Sequence, residues 1–153
     1  MDIDILLILQ RFRNGAGGVF ASFFSKMTYL GETPVVVLIM AVIYWSLDCR
    51  TGTYLMLGWS MNMLLNDLMK VTVCAYRPWI RDARIIPYGD SVTTATGYSF
   101  PSGHSANAAS VYGGMLIRKD RAPALRYAMG ALVLLVPFSR IYLGSIRPRT
   151  FWR

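Results

Sequence analysis

The sequence predicts an all-α protein, a polytopic transmembrane helical bundle. Of its 153 residues, 54% are hydrophobic and only 16% are charged. The apolar residues stand in blocks separated by short polar segments, which favours several membrane helices over a soluble helical bundle. No internal repeat or linker divides the chain, so we expect residues 1–153 to form a single membrane domain.

The positive charge of the chain indicates anionic partners. Lysine and arginine number 16 against 8 aspartate and glutamate residues, which gives a formal net charge of +8. The basic residues lie at the ends of apolar blocks and beside glycine and proline, whereas a nucleic-acid surface would form one solvated stripe with interleaved aromatic residues. We therefore expect membrane lipids and an anionic substrate as partners, and no nucleic acid.

The N-terminal third of the chain predicts a surface helix and a packed helical pair. Residues Ile3 to Phe12 form an amphipathic stretch that is too short to span a bilayer and suits the membrane surface. Val19 to Leu30 and Val35 to Leu47 are each shorter than the roughly 20 residues of a crossing. Because Gly31 to Pro34 supplies a turn and a helix start, we expect the two pieces to make one crossing together.

Thr53 to Met69 is the second predicted membrane helix, and its polar residues share one face. Asn62, Asn66 and Lys70 recur every four residues, so they project from the same side of the helix. Polar atoms at membrane depth face either protein or a wet cavity. Hydrogen bonding between helices is the alternative interpretation of this face.

The rest of the chain predicts a long loop and two further helices. Tyr76 to Pro101 is rich in proline, glycine and arginine and is expected to be irregular, whereas His104 to Ile117 and Ala124 to Phe138 are expected to be helical. The basic segment Arg118 to Arg121 between these helices belongs in the cytoplasm by the positive-inside rule. Counting crossings then places the long loop and Arg140 together on the extracytoplasmic side.

Two segments at helix ends contain arginines suited to binding an anion. Lys70 and Arg77 stand seven residues apart where the second membrane helix ends, so both cations can converge on one phosphate. Arg140 follows Ser139 at the end of the last apolar helix. Each signal is weak alone, because basic residues also flank and anchor membrane helices.

The segment from Pro101 to His104 lies where the long loop becomes a helix. A helix N-terminus presents unpaired N–H groups and the positive end of the helix dipole, Gly103 allows close backbone approach, and Ser102 adds a hydroxyl. His104 is the single histidine of the chain. A lone histidine is more often structural, but at this helix start we favour a catalytic proton donor.

The order of these segments, Lys-x6-Arg-Pro, Pro-Ser-Gly-His and Ser-Arg, resembles the three-part signature of the type 2 phosphatidic acid phosphatase family. Its relatives include bacterial undecaprenyl-pyrophosphate phosphatases, glucose-6-phosphatase and vanadium haloperoxidases. The resemblance implies hydrolysis of a lipid or isoprenoid phosphate through a phosphohistidine, without metal or cofactor. It also implies a bacterial inner-membrane location. By this resemblance the phosphate is held by Lys70, Arg77, Ser102, Gly103 and Arg140, with His104 as the general acid.

The third motif departs from the family pattern. In the family, Ser-Arg is followed after five residues by the nucleophilic histidine and after three more by an aspartate that orients it. The corresponding positions here hold Ile146 and Thr150. Isoleucine has no lone pair to attack phosphorus, and no other histidine is available. We therefore expect a family member that lacks phosphohistidine catalysis and the last helix of the fold.

Residues 145–153 suggest a cause for this departure. Residues Ser145 to Arg153 can be encoded by a set of codons that changes meaning when a single G is inserted before it. The shifted reading frame then encodes Val-His-Thr-Pro-Thr-Asp-Val-Leu-Ala. That frame places histidine and aspartate at the family spacing. We therefore interpret the tail as out of frame, with a naturally short terminus or a divergent tail as the alternative.

The sequence is compatible with three functions. The first is a phosphatase of lipid or isoprenoid phosphates, and the second is an inactive membrane protein that binds phosphate or lipid headgroups through the same residues. A transporter or purely structural helical protein is the third, but it requires the three motifs to be coincidence. We favour the second for the chain as written, because the covalent step lacks its nucleophile.

Overall fold

All regular structure in the computed structural model, which describes residues 2–15, 19–88, 97–118 and 122–146, is helical. This confirms the predicted all-α class. The elements in chain order are α1 (Asp2–Gly15), α2 (Val19–Tyr29), α3 (Thr33–Val42) with a π-helical turn (Ile43–Leu47), α4 (Cys49–Val73), α5 (Pro78–Arg81), α6 (Gly103–Leu116) and α7 (Pro123–Tyr142).

Helix α4 is longer at both ends than the predicted Thr53 to Met69. It begins early because the Asp48 side chain accepts hydrogen bonds from the backbone N–H groups of Arg50 and Thr51, both at 3.1 Å, and so caps the first turn. It ends at Cys74, where the backbone turns left-handed with φ of 47°. The extension places Lys70 inside the last turn of the helix, where a cation is favourable.

Two further boundaries differ from the sequence prediction. The long loop predicted to be irregular contains the short helix α5, which begins at Pro78 because proline suits the first helical position. Helix α7 continues through Pro137 to Tyr142, beyond the predicted end at Phe138. Its continuation places Arg140 within the helix.

Membrane crossing is supported by length and composition for part of the described chain. Helix α7 is long and apolar enough to span a bilayer. The helices Phe20–Tyr29 and Thr33–Leu47 are also long and apolar enough when taken together, although the angle between them is 56°. That pair is the one predicted to make a single crossing. Helix α4 has the necessary length at 25 residues, but it is less apolar than these segments, so its predicted crossing is not supported in the same way.

Helix α6 lies at the centre and packs against α7, α4 and α3. Their apolar side chains form a buried core that includes Val36, Met40, Leu55, Val111 and Val136. Gly114 of α6 permits this close packing, because it has no side chain at the contact with α4. A Cβ at Gly114 would lie 2.8 Å from Leu55 Cδ2.

Helix α1 is attached to the loop that follows α5. The Gln10 side chain donates to the carbonyl of Arg84 at 3.1 Å and accepts from the backbone N–H of Ile86 at 2.9 Å. Arg13 donates to the Ile86 carbonyl at 2.7 Å and to the Tyr142 carbonyl at 3.4 Å. Burial lowers the pKa of Arg13. The helix therefore fixes this loop against the end of α7.

Candidate active site

A pocket of about 460 Å³ opens where α4, α6, α7 and the turn before α3 meet. Three cations, two carboxylates and one imidazole contribute to its walls, and the remaining lining residues are mostly small or neutral polar groups. The residues that line it are Glu32, Thr33, Pro34, Met63, Asn66, Asp67, Lys70, Arg77, Ser102, Gly103, His104, Asn107 and Arg140.

The pocket brings together residues from three distant parts of the sequence. Lys70 lies at the end of α4 and Arg77 just before α5. Ser102, Gly103 and His104 stand at the start of α6, and Arg140 lies near the end of α7. All six residues predicted to contact phosphate or the leaving group line this one space. They are Lys70, Arg77, Ser102, Gly103, His104 and Arg140.

The N-terminus of α6 faces the ammonium group of Lys70, at the end of α4. Ser102 caps α6, and its Oγ accepts a hydrogen bond from the Ser105 N–H at 3.4 Å. A Cβ at Gly103 would lie 3.8 Å from Nζ of Lys70, so a larger side chain here would fill the space between the helix end and the cation. An anion in that space meets both the lysine and the positive end of the helix dipole.

Arg77 links the two chain segments that flank the pocket. It is buried, with Nε donating to the Gly97 carbonyl at 3.0 Å and Nη1 donating to the Ser145 carbonyl at 3.1 Å. Burial lowers the pKa of this guanidinium, although arginine remains charged near neutral pH. Arg77 therefore both lines the pocket and holds the ends of two loops together.

The turn after α7 brings Ser145 to Arg77. Gly144 adopts a left-handed φ of 75°, and the Ser145 N–H donates to the Arg140 carbonyl at 2.9 Å, which closes the helix in a Schellman-type turn. Glycine is the residue that adopts this conformation without strain. The turn directs the following backbone back toward the pocket wall.

Arg140 is buried, with 1% of its surface exposed. Its Nη1 donates to Thr28 Oγ1 at 3.4 Å. An arginine that anchors a helix at the lipid–water interface keeps its head in water. The burial of Arg140 excludes that alternative and places its charge on the pocket.

His104 lines the pocket together with the three cations. Its Nε2 is buried and unpartnered among the residues that the structure describes. A histidine retained for structure usually has its ring nitrogens satisfied. The geometry is therefore that of an imidazole available to a ligand in the pocket.

Several pocket residues were not predicted from the sequence. Asn107 accepts from Trp59 Nε1 at 2.9 Å and donates to the Gly31 carbonyl at 2.9 Å and to Thr33 Oγ1 at 3.3 Å. It thus ties α4, α6 and the turn before α3 together beneath the pocket. The signal in the sequence was its position three residues after His104, on the same helical face.

The polar face predicted on α4 divides between two roles. Asn66 and Lys70 line the pocket, and Asn66 Oδ1 is buried without a partner in the described part of the chain. Asn62 does not line the pocket. The pocket therefore begins at Asn66, one helical turn after the first residue of this polar face.

Ile146 follows Ser145 and is buried, but it is not among the residues that line the pocket. Its side chain has no nucleophilic or titratable atom. Thr150, the position corresponding to the family aspartate, lies outside the described residues. Among the described residues, the family position of the nucleophile thus contributes no side chain to the pocket.

Comparisons with known proteins agree with the motifs. The model of the PAP2 superfamily matches residues 51–149. Phosphatidylglycerophosphatase B of Bacillus subtilis (strain 168) is 30% identical over an alignment of 132 positions that covers 78% of this chain and 61% of that protein. The chain thus spans less than two thirds of the length of this relative.

The fold has a close counterpart among solved structures. The first transmembrane PAP2 type phosphatidylglycerolphosphate phosphatase from Bacillus subtilis superposes with a TM-score of 0.71 at 25% sequence identity. The match covers 95% of this chain and 73% of the other. The described helices therefore have the arrangement of a transmembrane protein.

Proposed function

Because the chain belongs to the PAP2 superfamily and is an integral membrane protein like its structural counterpart, we propose that its pocket binds the phosphate group of a membrane lipid. The observation that supports this most strongly is the convergence on one space of three cations, a helix N-terminus and the His104 imidazole, whose Nε2 has no partner among the described residues. Phosphate esters of lipids, including isoprenoid phosphates and pyrophosphates, are the substrate class.

The chemistry of the pocket suits a phosphoryl group. Lys70, Arg77 and Arg140 neutralise its oxygens, and the N–H groups at the start of α6 donate to it. His104 is positioned to protonate the oxygen of the leaving alcohol when the P–O bond breaks. In phosphatases that carry the family's nucleophilic histidine, this histidine attacks phosphorus from the side opposite the leaving group, and water later hydrolyses the phosphohistidine to release phosphate.

We infer that this chain binds phosphate esters without turning them over. The covalent step needs a lone pair on the far side of phosphorus, and Ile146 stands at the family position of the nucleophile. His104 cannot replace the missing nucleophile, because the single histidine would then no longer be available to protonate the leaving group. The similarity to a phosphatidylglycerophosphatase supports the alternative, an active lipid phosphatase.

Calorimetric titration of the purified chain in detergent with inorganic phosphate and orthovanadate tests the binding proposal. We expect saturable binding that falls at least tenfold in Lys70→Ala and in Arg140→Ala, because each loses a charge-assisted hydrogen bond. Lys26→Ala, which removes a cation outside the pocket, is the matched control and should bind normally. Binding that is unaffected by both pocket variants would refute the proposal.

A further inference from the structure

Glu32 is a carboxylate in a pocket that otherwise attracts anions. It occupies the N-cap position of α3, where a side chain usually accepts hydrogen bonds from the first turn, yet it makes no such bond. It lines the pocket instead, and its Oε1 is buried without a partner among the described residues. Its negative charge acts on Arg140.

The position of Glu32 is fixed by its neighbours on both sides. Gly31 packs directly on α6, since a Cβ there would lie 2.9 Å from the carbonyl oxygen of His104 and 2.7 Å from Val136 Cγ1. Asn107 donates to the Gly31 carbonyl and to Thr33 Oγ1. The backbone that carries Glu32 is therefore held against α6 at His104, the residue to which we assign protonation of the leaving group.

The buried Glu32 Oε1 would be stabilised by a hydrogen-bond donor on a bound ligand. A carboxylate oxygen without a hydrogen bond costs free energy, and a carboxylate near a phosphate repels it. A pocket that recognised phosphate alone would be stronger without Glu32. A hydroxyl on the leaving group removes both penalties, because it donates to the carboxylate while the phosphate stays with the cations.

We propose that Glu32 accepts a hydrogen bond from a hydroxyl next to the ester oxygen, so that the pocket selects polyol phosphates over phosphates of plain alkyl or isoprenoid alcohols. The inference rests on the proposed phosphate-binding function and narrows its substrate class. A neutral hydroxyl fits better than an ammonium group, because three cations already outnumber the two carboxylates in the pocket walls.

The test compares two small esters that differ only in their hydroxyls, sn-glycerol 3-phosphate and n-propyl phosphate, by calorimetric titration of the full chain in detergent. We expect the glycerol ester to bind about tenfold tighter, the difference typical of a hydrogen bond to a charged group. In Glu32→Gln, which keeps shape but removes charge, we expect this ratio to fall below threefold and inorganic phosphate to bind more tightly.

Asp67→Asn is the matched control. Asp67 also lines the pocket and pairs with Lys70 at 3.8 Å, so its loss removes the same charge from a different wall. The variant should keep the preference for the glycerol ester. Equal affinities for the two esters in the unaltered chain would overturn the inference even if Glu32→Gln failed to fold, and so would a preference for phosphoethanolamine over the glycerol ester.

The two proposals fail differently. Binding of inorganic phosphate that is abolished in Lys70→Ala would support the phosphate-binding proposal. If the chain then shows no preference for sn-glycerol 3-phosphate over n-propyl phosphate, only the role of Glu32 is refuted. Weaker binding of inorganic phosphate in Glu32→Gln would also refute it, because the carboxylate would then act only by orienting Arg140. If the unaltered chain binds no phosphate at all, both proposals are overturned.

Discussion

At the scale of single residues, the environment of each side chain in the proposed phosphate pocket distinguishes ligand binding from a purely structural role. Arg140 is too buried to be an interfacial anchor, and His104 Nε2 has no described structural partner. Arg77 differs from both, because two of its donors already bind the Gly97 and Ser145 carbonyls. We therefore expect Arg77 to contribute to stability as well as to phosphate binding.

The motif residues could be predicted from the sequence because their spacing is local. Ser102, Gly103 and His104 are consecutive, and each suits a helix start by its own chemistry. Glu32 and Asn107 could not be predicted in this way. Their roles depend on the approach of the turn at Gly31 to α6, which is a consequence of tertiary packing.

Asn107 provides the first prediction at this scale. Asn107→Leu should lower the free energy of unfolding by roughly 2 to 4 kcal/mol, because it leaves the Trp59 indole N–H and the Gly31 carbonyl without partners inside the bundle. Reversible unfolding in a denaturant series in detergent measures the change. Asn62→Leu is the control, since Asn62 Nδ2 has no described partner to lose. Equal destabilisation by the two substitutions would contradict the assigned role.

At the scale of secondary-structure elements, the sequence predicted the order of the main helices but not all of their ends. The ends depend on local capping, such as the Asp48 side chain at the start of α4 and the left-handed Cys74 at its end. Helix α5 was missed because four residues give too short a periodic signal, and Pro78 alone indicates only a turn or a helix start.

Helix α1 has two different faces. Ile8 and Phe12 are exposed, as expected for a helix at a membrane surface, whereas Gln10 and Arg13 bind the loop after α5. The amphipathic pattern predicted the first face. The second could not be foreseen, because the hydrogen bonds of Gln10 and Arg13 reach residues more than seventy positions away.

The attachment of α1 predicts a local change in dynamics. Gln10→Ala should speed hydrogen exchange at the Ile86 amide, which loses its acceptor, and should leave amides in the middle of α6 unchanged. Exchange followed by mass spectrometry or NMR in detergent measures this effect. Arg11→Ala, on an exposed side of the same helix, is the matched control. Unaltered exchange at Ile86 in Gln10→Ala would show that α1 does not hold the loop.

At the scale of the whole molecule, the orientation of the pocket is a proposal based on the basic segment that begins at Arg118. The chain offers its own probes, because exposed cysteines stand at the two ends of α4. Cys74 is at the pocket end and Cys49 at the other. A helix of 25 residues separates them by about 37 Å, more than the thickness of the hydrocarbon core.

A membrane-impermeant maleimide should therefore label Cys74 in intact bacterial cells and label Cys49 only after permeabilisation. The expected pattern follows from an α4 that crosses the bilayer with its pocket end outside. The single variants Cys49→Ser and Cys74→Ser identify which thiol reacts. Labelling of Cys49 alone in intact cells would reverse the proposed orientation, and labelling of both would contradict a crossing by α4.

For the whole molecule, we propose a PAP2 pocket that lacks the nucleophile of the family. Release of inorganic phosphate from a short-chain phosphatidylglycerophosphate, measured with the purified chain at concentrations that saturate binding, tests it most directly. We predict that the ester binds and is recovered intact, and that the unaltered chain and His104→Ala release phosphate at the same background rate. Catalytic release by the unaltered chain that is lost in His104→Ala would refute the proposal, because it would show that the chain is an active phosphatase.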